Sequence, residues 1–258
     1  MKRWLIGAAV VWGLIVLGLG YWSLGHGPPT AREQTTIGEA LPTVNAALGD
    51  LAGTLDEATA VPVLGGYVQV GRSCSVTVAR EGARYERILY VFTRPGTEPA
   101  LLKQIRDGLP ERYKAELSKA NVLSADAGNF VSIRGGVTSP GQIRFTADTG
   151  CRPQTSQVRD AEPSAAAAAR APVQAVLDRL QLGTATWQAY QAACPTGGTL
   201  WTVEADVKGA PKSLVETLKP DTDAVVARPD VVAYRTGGAG VVVRILNGGV
   251  TVTSSTGC

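Results

Sequence analysis

Histidine is all but missing from this chain: His26 is the only one in 258 residues. It stands just past an apolar N-terminal run and before Pro28-Pro29, in a segment that reads as a linker. A lone histidine there has no means of completing a Ser-His or Cys-His pair with the rest of the chain. Nor does a mixed cysteine-histidine zinc site fit, since no C-x-x-C spacing occurs among the four cysteines. Motifs of nucleophilic hydrolases, phosphate loops and dinucleotide folds are absent as well. The stretches Gly135-Gly136 and Gly237-Gly238-Ala239-Gly240 lie between strand patterns, where glycine makes hairpin turns, not before helices, where it cradles phosphate. A strong charge of either sign is lacking too. Of the formal net charge of +3, Lys2 and Arg3 supply two, so the remainder is near neutral and presents no global field for nucleic acid. No cofactor and no metal are expected.

What is present begins with Trp4 through Leu24, an uncharged run about as long as the ~20 residues a helix needs to cross a bilayer. Lys2 and Arg3 precede it, so the positive-inside rule keeps the N-terminus in the cytoplasm and places the rest outside. Tyr21 and Trp22 suit the outer interface. The run exceeds the roughly 7–15 apolar residues of a signal peptide and ends at no A-x-A site, which favours an uncleaved anchor over a cleaved leader. No cysteine closes it, which excludes a bacterial lipoprotein anchor. The expected organisation is a cytoplasmic tip and transmembrane anchor over 1–25, touching the lipid bilayer through 4–24, and a linker over 26–34.

Cys74, Cys151, Cys194 and Cys258 all lie beyond the anchor, an even number in a compartment where oxidation is expected. Four cysteines allow three pairings, and an internal repeat chooses among them. Ile143 to Cys151 lines up with Val250 to Cys258, both alternating strands ending in Thr-Gly-Cys. Further back, Phe130 to Arg134 matches Val231 to Arg235, with Asn129 and Asp230 as the preceding turn residues. Cys74 and Cys194 each close an early strand, Val63 to Cys74 and Ala185 to Cys194. The predicted bridges are therefore Cys74–Cys151 and Cys194–Cys258. Two α+β repeats follow, over 35–151 and 163–258, with a polar linker over 152–162.

Each half is predicted as helix, strand, strand, helix, strand, strand, with antiparallel sheets. The first helix runs from Pro42 to Glu57 with Val44, Leu48, Leu51 and Leu55 on one stripe, and its counterpart runs from Pro163 to Leu182. With Ile37 and Leu41 the stripe has an a/d rhythm, yet Pro42, Gly49 and Gly53 favour packing on its own sheet over a coiled coil. A middle helix begins at the N-cap Thr97, buries Leu101, Leu102, Ile105 and Leu109, and resumes after Pro110 toward Tyr113 and Leu117. The second half has only a short equivalent from Pro211 to Lys219, halted by Pro220. Alternation at Ile143, Phe145 and Ala147 predicts one covered and one wetter sheet face.

Two sets of residues are candidates for chemistry. Arg134 and Arg235 occupy matched places in the two strand alignments and suit an anionic group such as phosphate or a carboxylate. Asp126 and Asp148, at or near strand ends, suit acid–base work on a glycan if they converge in a cleft. Asp148 becomes Ser255 in the second copy. The basic strand carrying Arg80, Arg84, Arg87 and Arg94 is interleaved with Glu81 and Glu86 and reads as a solvated face.

The Ala/Gly/Val/Arg-rich, lysine-poor usage, with the stretches Tyr85-Glu86-Arg87, Ala125-Asp126-Ala127-Gly128 and Thr149-Gly150-Cys151, resembles single-pass membrane-anchored proteins of high-GC actinobacteria. That resemblance implies an anchored ectodomain and carries no activity or site residues. The expected function is an extracytoplasmic binding or interaction module of the cell envelope, with an envelope protein or a cell-wall component as partner. The alternative is a carboxylate-based envelope enzyme acting on a cell-wall glycan.

Overall fold

The computed structural model describes residues 2–26, 35–77, 80–155, 157–162, 166–219 and 224–258. Helix α1 (Lys2–His26) contains the 20-residue apolar span Trp4–Ser23, long enough to cross a membrane, and no side chain of that span is buried by the rest of the chain. The linker prolines and Pro220 lie outside the described residues.

Helix α2 (Ile37–Gly53) starts more than a turn before the predicted Pro42. The reason is a capping box: Thr36 Oγ1 accepts from Glu39 N, and the Glu39 carboxylate accepts from Thr36 N at 2.7 Å. This Thr-x-x-Glu signal was readable in the sequence. Val44, Leu48 and Leu51 are buried in the core of the first half.

Strands β1 (Ala60–Gln69), β2 (Cys74–Thr77), β3 (Arg80–Gly82) and β4 (Tyr85–Thr93) follow. The predicted strand from Val63 to Cys74 is thus two elements, because Gly71 turns the chain at φ 74° and Cys74 joins the separate β2–β3 hairpin. Helix α3 (Glu98–Gly108) buries Leu101, Leu102 and Ile105 as expected. The chain then makes a single 3-10 turn at Glu111–Tyr113, and Leu117 lies in strand β5 (Glu116–Leu117), not in a resumed helix. Lys114, at φ 46°, ends that turn. Tyr113 is held instead by Asp50 of α2, to which its hydroxyl donates at 2.6 Å. Burial, with this carboxylate as acceptor, pushes the phenol up to about 12. Strands β6 (Val122–Gly128), β7 (Val131–Ser139) and β8 (Gln142–Asp148) complete the half.

The second half runs α4 (Ala167–Leu180), β9 (Thr186–Ala193), β10 (Thr199–Lys208), α5 (Leu214–Leu218), β11 (Val226–Arg228), β12 (Val231–Thr236), β13 (Ala239–Leu246) and β14 (Gly249–Ser255). Each half therefore has two more strands after its middle helix than predicted. Both sheets are antiparallel, with strand order β1-β4-β8-β7-β6-β5 in one and β9-β10-β14-β13-β12-β11 in the other. The orders match strand for strand, and the bridges Cys74–Cys151 and Cys194–Cys258 join corresponding places in the two copies. An N-terminal apolar helix, two α+β halves and two disulfides are the architecture.

One part of the internal alignment does not survive. By strand order β12 corresponds to β6, not to β7. Arg235 faces Gly240, which faces Ser255. The same path in the first half leads from Asp148 through Ser132 to Asp126. Asp126 is thus the counterpart of Arg235, and Arg134 is not. Alternating strands of similar composition look alike over five residues, so a slip by one whole strand preserves the pattern.

The halves dock through the free edge of β1. An edge strand exposes unpaired backbone groups that must be covered, and here the second half covers them. Leu64 N donates to Thr202 Oγ1 at 3.0 Å, Ser255 Oγ donates to Pro62 O, and Arg235 donates to Ala60 O at 3.2 Å. Around these bonds Val61, Val63 and Phe92 pack with Val226, Val231, Ala233 and Val242. Helix α2 lies over the end of β9, where a Cβ on Gly49 would stand 1.8 Å from Ala193 O. The glycine that weakens the helix is what permits the contact. Two points of the connection between the halves are pinned at this junction: Ala161 bridges to Ala189, and Ile37 N donates to Pro153 O at 3.0 Å.

Candidate functional site

Each sheet has one face under its own helices. In the first half, Leu64, Leu89, Phe145 and Leu123 form a cross-strand row on that face, and Gly135 sits between the last two because the Phe145 ring takes its side-chain space. On the opposite face the copies differ. That face of the second sheet is packed on β1 and β4 of the first half. The first sheet is covered only along β1 and β4, and β6, β7 and β8 stay open.

The open face carries a groove of about 800 Å³. Strand register orders its side chains in three cross-strand rows. Glu86, Asp148, Ser132 and Asp126 form the first, and Ile88, Thr146, Arg134, Ser124 and Glu116 the second. The third runs Tyr90, Arg144, Gly136, Val122. Gly136 leaves a gap between Arg144 and Val122, which hollows the sheet at that point.

Charges in the groove are not all matched. Arg84 Nε donates to both oxygens of Asp148, at 3.0 and 2.9 Å, and Arg84 Nη2 reaches Glu86 at 3.3 Å. Asp148 also accepts from Gly150 N at 2.8 Å. Asp126 accepts from Gly128 N at 2.8 Å, a turn-forming bond. By contrast the side chains of Arg134, Arg144 and Lys114 make no hydrogen bond or ion pair among the described residues, and Arg144 Nε is buried without a partner. Buried polar groups are rarely left so.

Arg134 and Arg235, paired in the sequence reading, therefore have different surroundings. Arg134 projects into the open groove. Arg235 donates to Ala60 O, to Gly238 O at 3.1 Å and to Glu57 at 3.2 Å, and it braces the junction of the halves. Asp126 and Asp148 share the first row but are separated by Ser132, about 10 Å apart by strand spacing, on an open face. Arg144, missed in the sequence, carried one visible signal: it shares the outward parity of Thr146 and Asp148 on a strand whose other parity is apolar.

The groove borders the inter-half junction at Tyr90, where the Arg244 guanidinium lies 5.0 Å from the ring centroid. Arg244 Nε is buried and unpartnered too, but Glu204 stands 4.0 Å from its Nη2. Burial raises the Glu204 carboxyl, and the nearby Asp206 adds to the effect. A raised pKa means that the folded chain keeps a proton that the unfolded chain has lost. The stability this contributes is present in full below the unfolded pKa and is lost as pH rises through the folded one. Glu204→Gln, which does not titrate, is expected to gain stability relative to the parent as pH rises through and above the ordinary carboxylate range. Urea melts across that range test it, and a pH-independent offset between the two proteins overturns it.

A scan of protein-family models and a search of curated proteins give no match to this chain.

Proposed function

We propose that the protein is a membrane-tethered, extracytoplasmic binding module of the cell envelope whose ligand surface is the open face of the first sheet. One observation carries the reading: in a duplicated fold the second sheet's face is shut by its twin, while the first stays open and hollowed at Gly136. A face that needs only solvation is served by cross-strand pairs of opposite charge, and this one leaves cations unpaired beside hydroxyl groups. The anchor-length helix and two disulfides support a place outside the cytoplasm, with Lys2 and Arg3 on the inner side. A carboxylate enzyme has less support, since Asp148 is neutralised by Arg84 and Asp126 is engaged by its own turn.

Affinity capture from native membranes after mild crosslinking tests the surface, with the full chain and its Gly136→Trp variant as baits. A Cβ at Gly136 meets nothing closer than Asn121 O at 3.5 Å, so an indole there fills the groove without displacing a strand. An envelope component enriched by the parent and lost with the variant is the expected result. Equal enrichment by both baits, or none by either, overturns it.

A further inference from the structure

We infer that the groove binds a phosphate group, held between Arg134 and Arg144. The inference rests on the open face being the ligand surface and adds the chemistry of what it takes. Arg134 faces Thr146, and Arg144 lies two residues before Thr146 on the same strand, so the two arginines are diagonal neighbours on one face. Such neighbours stand about 7–8 Å apart at their bases, within joint reach of one small anion for side chains of this length. Neither has an acceptor among the described residues, and the Nε of Arg144 is buried without one. Two like charges side by side, one partly desolvated, is an arrangement that an anion between them relieves.

The donor set distinguishes the anion. A carboxylate has two oxygens in one plane, and a single guanidinium fork satisfies it. A phosphate has three or four oxygens in a tetrahedron and accepts from two forks and neighbouring hydroxyls together. The second row supplies those hydroxyls from Ser124 and Thr146 on either side of Arg134. Gly136, facing Arg144, leaves the space for the anion to enter. The acidic groups nearby do not occupy it. Glu86 and Asp148 are held by Arg84, Asp126 in the row beside Arg134 accepts from Gly128 N and makes no ion pair with Arg134, and Glu116 is two strands from Arg134. Lys114 lines the same groove and adds a third cation.

The test uses the full chain in a phosphate-free, non-ionic detergent and follows the ³¹P resonance of inorganic phosphate and of glycerol 3-phosphate. The parent is expected to broaden both resonances saturably. Arg134→Gln with Arg144→Gln is expected to weaken the affinity by at least about tenfold, the scale of one lost hydrogen bond to a charged group. Arg106→Gln, on an ion pair with Asp107 in α3 outside the groove, controls for surface charge and leaves the affinity unchanged. Vesicles of phosphatidylglycerol added as competitors separate the sources: competition that depends on Arg134 and Arg144 identifies a lipid headgroup, and its absence identifies a soluble or polymer-borne phosphate. No saturable broadening with the parent, or the same affinity in the double variant, overturns the inference. If capture sensitive to Gly136→Trp persists in that case, the groove remains the ligand surface and only its phosphate chemistry falls.

Discussion

Arg87→Ala is expected to destabilise the fold beyond the apolar helix by about 3–5 kcal/mol, the scale of leaving buried acceptors unmatched and opening a cavity in place of a large buried side chain. Arg87 is 2% exposed and ties four segments to its own strand β4 with one guanidinium. Its Nε donates to Gly65 O at 2.9 Å in β1, and its Nη1 donates to Asn45 of α2 and to Gln191 O of β9 at 2.9 Å. Asp160 of the connecting segment stands 3.6 Å from Nη2, and the Tyr67 ring packs 4.5 Å from the guanidinium carbon. Alanine leaves these acceptors buried and unmatched and opens a cavity between the halves. Denaturant melts measure the loss, and a change below about 1 kcal/mol would show that the network is not what joins the halves. Arg87→Met combined with Asp160→Asn should recover much of the stability, because the volume is restored and no uncompensated carboxylate remains. Burial lowers the Arg87 pKa, but an arginine so placed stays charged at any pH where the fold persists.

Removing the second bridge with Cys194→Ser and Cys258→Ser is expected to cost about 4 kcal/mol in the chain-entropy treatment. The bridge closes a sequence separation of 64 residues, and the Cα atoms stand 5.4 Å apart. Cys74–Cys151 closes 77 residues at 5.9 Å, so its double-serine variant should lose a similar amount. For a domain of this size each kcal/mol corresponds to roughly 2–4 °C in Tm, giving a drop of about 8–16 °C per bridge. Differential scanning calorimetry reads it. A shift of only a degree or two in either variant would mean that the unfolded chain gains little freedom when that bridge is gone.

Much of the fold was legible because its signals are local or tied to spacing. The repeated Thr-Gly-Cys strand ends led to the right disulfide pairing, and α3 began near Thr97 with its predicted leucines inward. The capping box at Thr36 and Glu39 is also a local signal, and it sets the start of α2 ahead of Pro42, which the helix accommodates. The candidate site was legible only in part. Arg134 was singled out through an alignment one strand out of place, and Arg144 was not singled out at all. Which arginine is free depends on whether a neighbouring element supplies an acceptor, and for Arg235 the acceptors are Glu57 and Ala60 in the other half. A separation of well over a hundred residues leaves no trace in local pattern.

By itself the sequence determined a membrane-length apolar helix, a duplicated α+β chain beyond it, and the cysteine pairing, since hydrophobic length, period-two alternation and matched strand ends are properties of contiguous residues. Tertiary structure alone decided that the twin sheets dock off-centre through the free edge of β1. The edge's unpaired backbone groups needed hydroxyls and a guanidinium from the other half. Docking along β1 and β4 closes the face of the second sheet and leaves β6, β7 and β8 of the first uncovered, so near-identical topologies end with one face buried and one free to bind.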